Sequence, residues 1–285
     1  MKIGAHVSAS GSIDKAIGRA EEIGAEAIQM FVSGPTTWRV KQHSEDEVEA
    51  YRARVEETDI QPAFFHGIYL INLGSQDPEL VRKGIDSLVT YQTAAARIGC
   101  LGTIFHVGSH KGFGFDAVLP QVIGAFRDVL DNTPEEPWLI IENSAGMGNS
   151  IGASFTQIGK IIREVGSDRV KVCIDTQHSF ANGYHVGDKG GLADVMDEFE
   201  REIGLERLVA VHANDSKCEL DGGLDRHENI GEGYIGLEGF EVITAHPAFE
   251  DVPFLLEVPG VERGGPDRKN IDTLKAMRPE GMGGK

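Results

Sequence analysis

Nine side chains of this 285-residue sequence are of the kinds that hold divalent cations, and their spacing groups them. His66, His106, Glu142, Asp175, His212 and Glu257 each stand at or near the end of a short apolar run. Asp175-Thr-Gln-His178 adds a second imidazole just past one of these. Asp225-Arg-His227 offers a carboxylate and an imidazole two residues apart, on the same side of an extended segment. A lone histidine is more often a satisfied structural group than a ligand. Four or more such groups buried together without a cation carry heavy desolvation and repulsion costs, so the collection points to metal. Imidazole and carboxylate without thiolate suit a catalytic zinc or manganese site, which keeps a position open for water or substrate, and not a structural zinc. Nine ligands are what three metals with a few open positions need.

The apolar runs that carry these residues are the elements that must position them. Strands are expected at 2–7, 27–32, 62–68, 103–108, 138–143, 170–176, 208–214 and 253–258, each nearly continuous in apolar residues, as parallel strands buried on both faces are. Amphipathic stretches at 12–24, 44–57, 77–98, 116–131, 154–165 and 189–203 alternate with them. Asp77 before Pro78, Asp116 and Ser154 are expected to cap helices, and Gly24, Gly99, Gly166 and Gly204 to end them. Eight strands alternating with helices predict a single α/β domain, a closed (β/α)8 TIM barrel over 1–278, with a flexible tail at 279–285. In such a barrel the C-terminal ends of the strands converge on one rim. The six ligands on strands three to eight therefore meet there, and His6, at the end of strand one, faces the same rim as a supporting group. The run GMGNSIG at 146–152 lacks the G-x-G-x-x-G spacing and reads as a plain loop.

Composition narrows the class. With 40% hydrophobic and 25% charged residues, the chain is an ordinary globular protein without an apolar stretch of the roughly 20 residues a membrane span needs. MKIGAHVSAS reads as a strand and not as a secretory leader, and Cys100, Cys173 and Cys218 are odd in number and scattered. Both features predict a cytoplasmic protein with reduced thiols. The net charge of −18 argues against a nucleic-acid partner when taken alone. Bound cations change that locally, since three divalent ions concentrate about six positive charges in one cleft.

GAHVSASGS at 4–12, YLINLGS at 69–75, HVGSH at 106–110, IENSAG at 141–146, CIDTQH at 173–178, HANDSK at 212–217 and DRHENIGEGYIG at 225–236 together resemble the endonuclease IV family. The similarity runs from Met1 to about Pro259. It implies a barrel enzyme that hydrolyses the phosphodiester 5′ to an abasic site in duplex DNA by a trinuclear zinc mechanism, leaving a 3′-hydroxyl and a 5′-deoxyribose phosphate. It also implies a phosphodiesterase activity on 3′-blocking groups. Carried over position by position, it gives His66, His106 and the bridging, catalytic Glu142 to the first zinc. Glu142, Asp175, His212 and Glu257 go to the second, and His178, Asp225 and His227 to the third, with manganese admissible at one position. Every ligand position is filled by a matching residue type. The surroundings depart from the family in HVGS for HPGS, DTQH for DTCH, and Thr36 of GPTTWR, where relatives can carry a basic residue.

The partner implied is duplex DNA bearing abasic sites, met by a monomer. Tyr69 and Leu70, next to His66, are candidates to wedge into the gap left by a missing base, and Lys111, Lys217 and Arg226 are candidates for phosphate contacts. Two other classes stand beside this one. A divalent-metal sugar isomerase or epimerase of the same barrel class explains the acidity and the carboxylates at the strand ends, but has no use for His178, Asp225 and His227. A non-catalytic DNA- or metal-binding protein fits poorly with an open ligand set that lacks thiolates.

Overall fold

The computed structural model describes residues 1–279, so all but the first residue of the tail expected at 279–285 lies outside the described residues. Eight parallel strands close on themselves: β1 (Ile3–His6), β2 (Ile28–Met30), β3 (Ala63–His66), β4 (Gly102–Phe105), β5 (Trp138–Glu142), β6 (Val170–Asp175), β7 (Leu208–His212) and β10 (Phe254–Leu256). Their order around the barrel is β1-β10-β7-β6-β5-β4-β3-β2. The helices α1 (Lys15–Ile23), α2 (Glu45–Thr58), α3 (Pro78–Ile98), α4 (Phe115–Asp131), α5 (Phe155–Val165), α7 (Lys189–Glu202), α8 (Gly236–Thr244) and α9 (Arg268–Ala276) fill the crossovers, with a short α6 (Thr176–Ala181) directly after β6. Inside the long connection after β7, β8 (Asp215–Ser216) and β9 (His227–Glu228) pair antiparallel.

The (β/α)8 architecture read from the sequence is therefore the observed one. Its strands are shorter than the apolar runs because the last residues of most runs leave the ladder and enter the rim loops. The expected caps are partly found. Asp77 accepts from Glu79 N and Ser154 from Gln157 N, and Gly24, Gly99 and Gly166 end their helices in the left-handed region. Two are corrected. Asp116 lies inside the first turn of α4, which starts at Gly114 without a side-chain cap. Gly204, at φ 98° and ψ 129°, follows the helix end at Ile203 and takes no left-handed helical turn. The helices α8 and α9 lie beyond the segments named from sequence: α8 opens on glycine and α9 is mostly polar.

Two apolar layers hold the barrel together. One lies between strands and helices. The other fills the interior with Ala27, just before β2, and Phe64, Ile104, Ile140, Cys173, Ala210 and Leu255 from six other strands, all fully buried. On β1, Gly4 stands in register with Leu255, at a point where a Cβ would lie 2.1 Å from the Ala27 carbonyl oxygen. Side chains along a strand face inward at every second residue. Two residues after each interior position come His6, Gln29, His66, His106, Glu142, Asp175, His212 and Glu257. The inward face thus changes from wholly apolar to wholly polar in one step toward the rim.

Candidate metal centre

The ligand atoms of His66, His106 and Glu142 lie within 4.8 Å of one another, as do those of Glu142, Asp175, His212 and Glu257, and those of Asp175, His178 and His227. Glu142 joins the first two groups through different oxygens. Its Oε2 is 3.0 Å from His66 Nε2 and 3.3 Å from His106 Nε2, while Oε1 is 3.1 Å from His212 Nδ1 and 3.2 Å from His178 Nδ1. Asp225, half-exposed on the loop before β9, brings Oδ1 to 3.3 Å from His178 Nε2 and 3.5 Å from His227 Nε2. All nine residues expected to be ligands from the sequence thus gather at one rim, and the Asp225-x-His227 spacing does turn both side chains to the same side.

The imidazoles are oriented as metal ligands are. His66 Nδ1 donates to Gly67 O at 2.7 Å, His178 Nδ1 to Asn143 O at 3.0 Å and His227 Nδ1 to Glu257 O at 3.4 Å. On His212 it is Nε2 that donates, to Gln29 Oε1 at 2.7 Å. Each of these rings therefore commits one nitrogen to an oxygen acceptor and turns the other, carrying its lone pair, toward the carboxylates. The nitrogens His178 Nε2 and His227 Nε2, both turned toward Asp225, are buried and lack a hydrogen-bond partner, a costly state for protein groups left to themselves. An orphaned nitrogen alone does not mark a metal position. His43 is buried with both nitrogens unpartnered, yet among the described residues only the Glu47 carboxylate comes within ion-pair reach, at 3.7 Å. At the rim, orphaned nitrogens, carboxylates and ring orientation coincide, and the donor set fits divalent cations.

The electrostatics agree. Burial works to raise the Glu142 carboxyl, but the charges of His106 and His212 and hydrogen bonds from His178 and His212 hold it well below the usual carboxylate range. Burial likewise opposes ionisation of Asp225, and His178, His227 and His106 bring it down to about 2. His178 is pulled down by burial and pushed well above the ordinary imidazole value by Asp175, Asp225 and Glu142. With protein groups alone, this balance demands protonated imidazoles. Divalent cations supply the same positive charge and leave the rings neutral for coordination.

Supporting residues that the sequence did not single out surround the ligands. Asn214 donates to Asp175 Oδ2 at 2.7 Å and accepts from Glu257 N at 2.8 Å, and Asn143 Oδ1 accepts from Asp175 N at 2.6 Å. His6, expected at the rim, has Nδ1 3.1 Å from Glu257 Oε1. Asp215, fully buried, gathers the backbone N–H groups of Ser216, Gly231, Gly233, Ile235 and Gly236 at 2.7–3.3 Å. It pins the loop that follows His227, and Gly233 is needed there because a Cβ would come within 2.5 Å of Asp215 Oδ1. Counting inward positions by twos from the barrel interior would have found Gln29. Asp215 has no such signal, because its partners are all backbone.

The residues proposed to touch DNA lie on the rim loops. Tyr69 is 61% exposed, with its ring edge-on to Phe31 and His66, and Leu70 is exposed beside it. Lys111, in the loop after β4, is exposed at φ 50°. Lys217 and Arg226 flank the β8–β9 pair; Lys217 sits 3.4 Å from Glu228, and Arg226 donates to the Asp225 carbonyl. The GMGNSIG loop carries a single short turn at Met147–Asn149 and no phosphate-cradling strand-to-helix turn. No helix among the described residues is long and apolar enough to cross a membrane.

Residues 17–279 match the family model described as a xylose isomerase-like TIM barrel. The chain is 37% identical over 279 residues to a probable endonuclease 4 of Halothermothrix orenii, covering 98% of this chain and 99% of that one. It superposes on the crystal structure of endonuclease IV from Thermus thermophilus with a TM-score of 0.86 at 33% identity, over 97% and 98% of the two chains. A D-tagatose 3-epimerase-like protein superposes with a TM-score of 0.72 at 15% identity, over 97% of each chain, which is a likeness of fold alone. The sugar-epimerase alternative thus shares the barrel and not the sequence, and the chain belongs to the endonuclease IV family of nucleases.

Proposed function

We propose that this protein hydrolyses the phosphodiester 5′ to an abasic site in duplex DNA, leaving a 3′-hydroxyl and a 5′-deoxyribose phosphate, and that it removes 3′-blocking groups by the same ester chemistry. The observation that carries the proposal is the gathering of nine imidazole and carboxylate groups at one rim of a chain of this family. His66, His106 and Glu142 would hold one divalent cation, Glu142, Asp175, His212 and Glu257 a second, and His178, Asp225 and His227 a third. All three are zinc, with manganese admissible at one. When bound, such cations lower the pKa of a water and neutralise phosphate charge.

The chain's own residues do the rest. Glu142 presents one oxygen to each neighbouring group and so ties two positions together. A sugar without its base rotates out of the duplex cheaply, and Tyr69 and Leu70 are placed to occupy the space it leaves. Lys111, Lys217 and Arg226 contact phosphates on either side. The protein acts as a monomer in a reducing compartment, where three scattered thiols stay free.

The test is a duplex holding one tetrahydrofuran abasic analogue, incubated with zinc-loaded protein. A single incision leaving an end that a polymerase extends is expected, and an intact duplex would overturn the proposal. Metal content separates it from a sugar isomerase: near three ions per chain are expected here, and one or two there.

A further inference from the structure

We infer that Gln29 is a positioning residue of the metal centre, fixing the proton of His212 and the free oxygen of Glu257 through one side-chain amide. The inference rests on the metal reading proposed above. Gln29 is fully buried on β2, at an inward position beside those of the ligands. Its Nε2 stands 2.7 Å from Glu257 Oε1 and 2.9 Å from His6 Nδ1, and its Oε1 stands 2.7 Å from His212 Nε2.

These contacts allow one hydrogen-bond order. An ionised carboxylate only accepts, so the amide must turn its NH2 toward Glu257. The amide oxygen is then forced toward His212, which must carry its proton on Nε2. The lone pair of His212 is left on Nδ1, the atom 3.1 Å from Glu142 Oε1 and 3.4 Å from Glu257 Oε2. The same amide occupies Glu257 Oε1 and leaves Oε2 for the cation. The amide nitrogen also stands 2.9 Å from His6 Nδ1, which itself lies 3.1 Å from Glu257 Oε1. Two ligands of one metal group, from β7 and from the end of β10, are set by a residue that is not itself a ligand. His66, His178 and His227 take their orienting acceptors from backbone carbonyls, which substitution leaves in place, and His212 takes its acceptor from a side chain.

The role is tested by Gln29→Met, close in volume and without hydrogen bonds, and by Gln29→Glu, which keeps an acceptor for His212. Zinc affinities are measured by chelator competition, the His212 tautomer by nitrogen NMR of histidine-labelled protein, and the fold by circular dichroism after chelation. Gln29→Met should weaken one of the three zincs about 10- to 100-fold, the usual size of such supporting effects, and leave the other two unchanged. The His212 Nε2–H resonance should be lost in Gln29→Met and kept in Gln29→Glu. Three zincs held by Gln29→Met at wild-type affinity would overturn the inference. So would loss of all three together with the barrel signal, which is what mere packing predicts, or a wild-type His212 protonated on Nδ1. If wild-type protein binds no zinc at this rim, the metal reading itself fails, an outcome distinct from a Gln29→Met protein that matches a zinc-loaded wild type.

Discussion

Glu142 is the residue on which the site turns, because both of its oxygens are engaged and four imidazoles face them. Replacing the carboxylate by an amide keeps the volume, but it removes the charge that the two proposed cation positions would share and turns an NH2 toward ring nitrogens that need acceptors or metal. Glu142→Gln should therefore lower cleavage of abasic duplex at least about 100-fold, a loss on the scale of removing one electrostatic stabiliser, with the circular dichroism spectrum unchanged. A variant that still cuts within about tenfold of wild type would show that Glu142 is not the bridge. Six of the ligands were legible in the sequence because each is an ionisable residue at or near the end of an apolar run, and His178, Asp225 and His227 because of their spacing. Gln29 and Asn214 were not, since a neutral amide inside such a run carries no charge or ligand signature of its own.

At the scale of elements, the strands and most helices followed from apolar runs and caps, while the rim loops did not, because nothing periodic specifies them. The loop after β9 is held by Asp215 through four backbone donors, those of Gly231, Gly233, Ile235 and Gly236. In Asp215→Asn one oxygen becomes a donor facing other donors, so we expect a loss of about 2–3 kcal/mol in urea unfolding. Hydrogen exchange at Gly231, Gly233 and Ile235 should rise well beyond that of the barrel strands, and unchanged protection there would show that other contacts hold the loop. At the opposite end of the barrel, Glu26 accepts from Ile3 N at 2.9 Å and pairs with Lys275 and Arg278 at 3.0–3.1 Å, tying α9 to β1 and β2. Burial raises its carboxyl, but the Ile3 donor with Arg278 and Lys275 sets it below its ordinary 4.5. A depressed folded-state pKa contributes stability that is full above the unfolded value and is lost as pH falls through the folded one. Glu26→Gln should thus melt about 2 °C below wild type near neutral pH, and the gap should close in acid. A gap constant with pH would mean that the clasp acts through packing and not charge.

For the molecule as a whole, the difficulty is how a chain of net charge −18 binds a polyanion. Many of its surface cations are already neutralised by carboxylates, among them Lys41 by Glu47, Arg54 by Glu21 and Glu57, Arg82 by Asp86 and Asp128, and Lys160 by Asp116. What the rim exposes instead is apolar: Tyr69, Leu70, Phe113, Met147, Leu224 and Tyr234, from the loops after β3, β4, β5 and β7. Such side chains stack on bases and sugars without releasing counterions. On the function proposed above, positive potential at this rim comes mainly from bound cations, helped by Lys111, Lys217 and Arg226, while the rest of the surface repels DNA over a Debye length of about 10 Å at 0.1 M salt. Two consequences follow for binding to an abasic duplex. Chelated protein should lose most of its affinity even where circular dichroism shows the barrel intact. In addition, the salt dependence of the zinc form should be shallower than that of a protein making about six to ten Lys or Arg phosphate contacts. Fluorescence anisotropy of a labelled duplex, titrated with both forms across a salt series, reads both quantities. Equal affinities with and without metal would place recognition on a basic face created by folding and confine the cations to the chemistry.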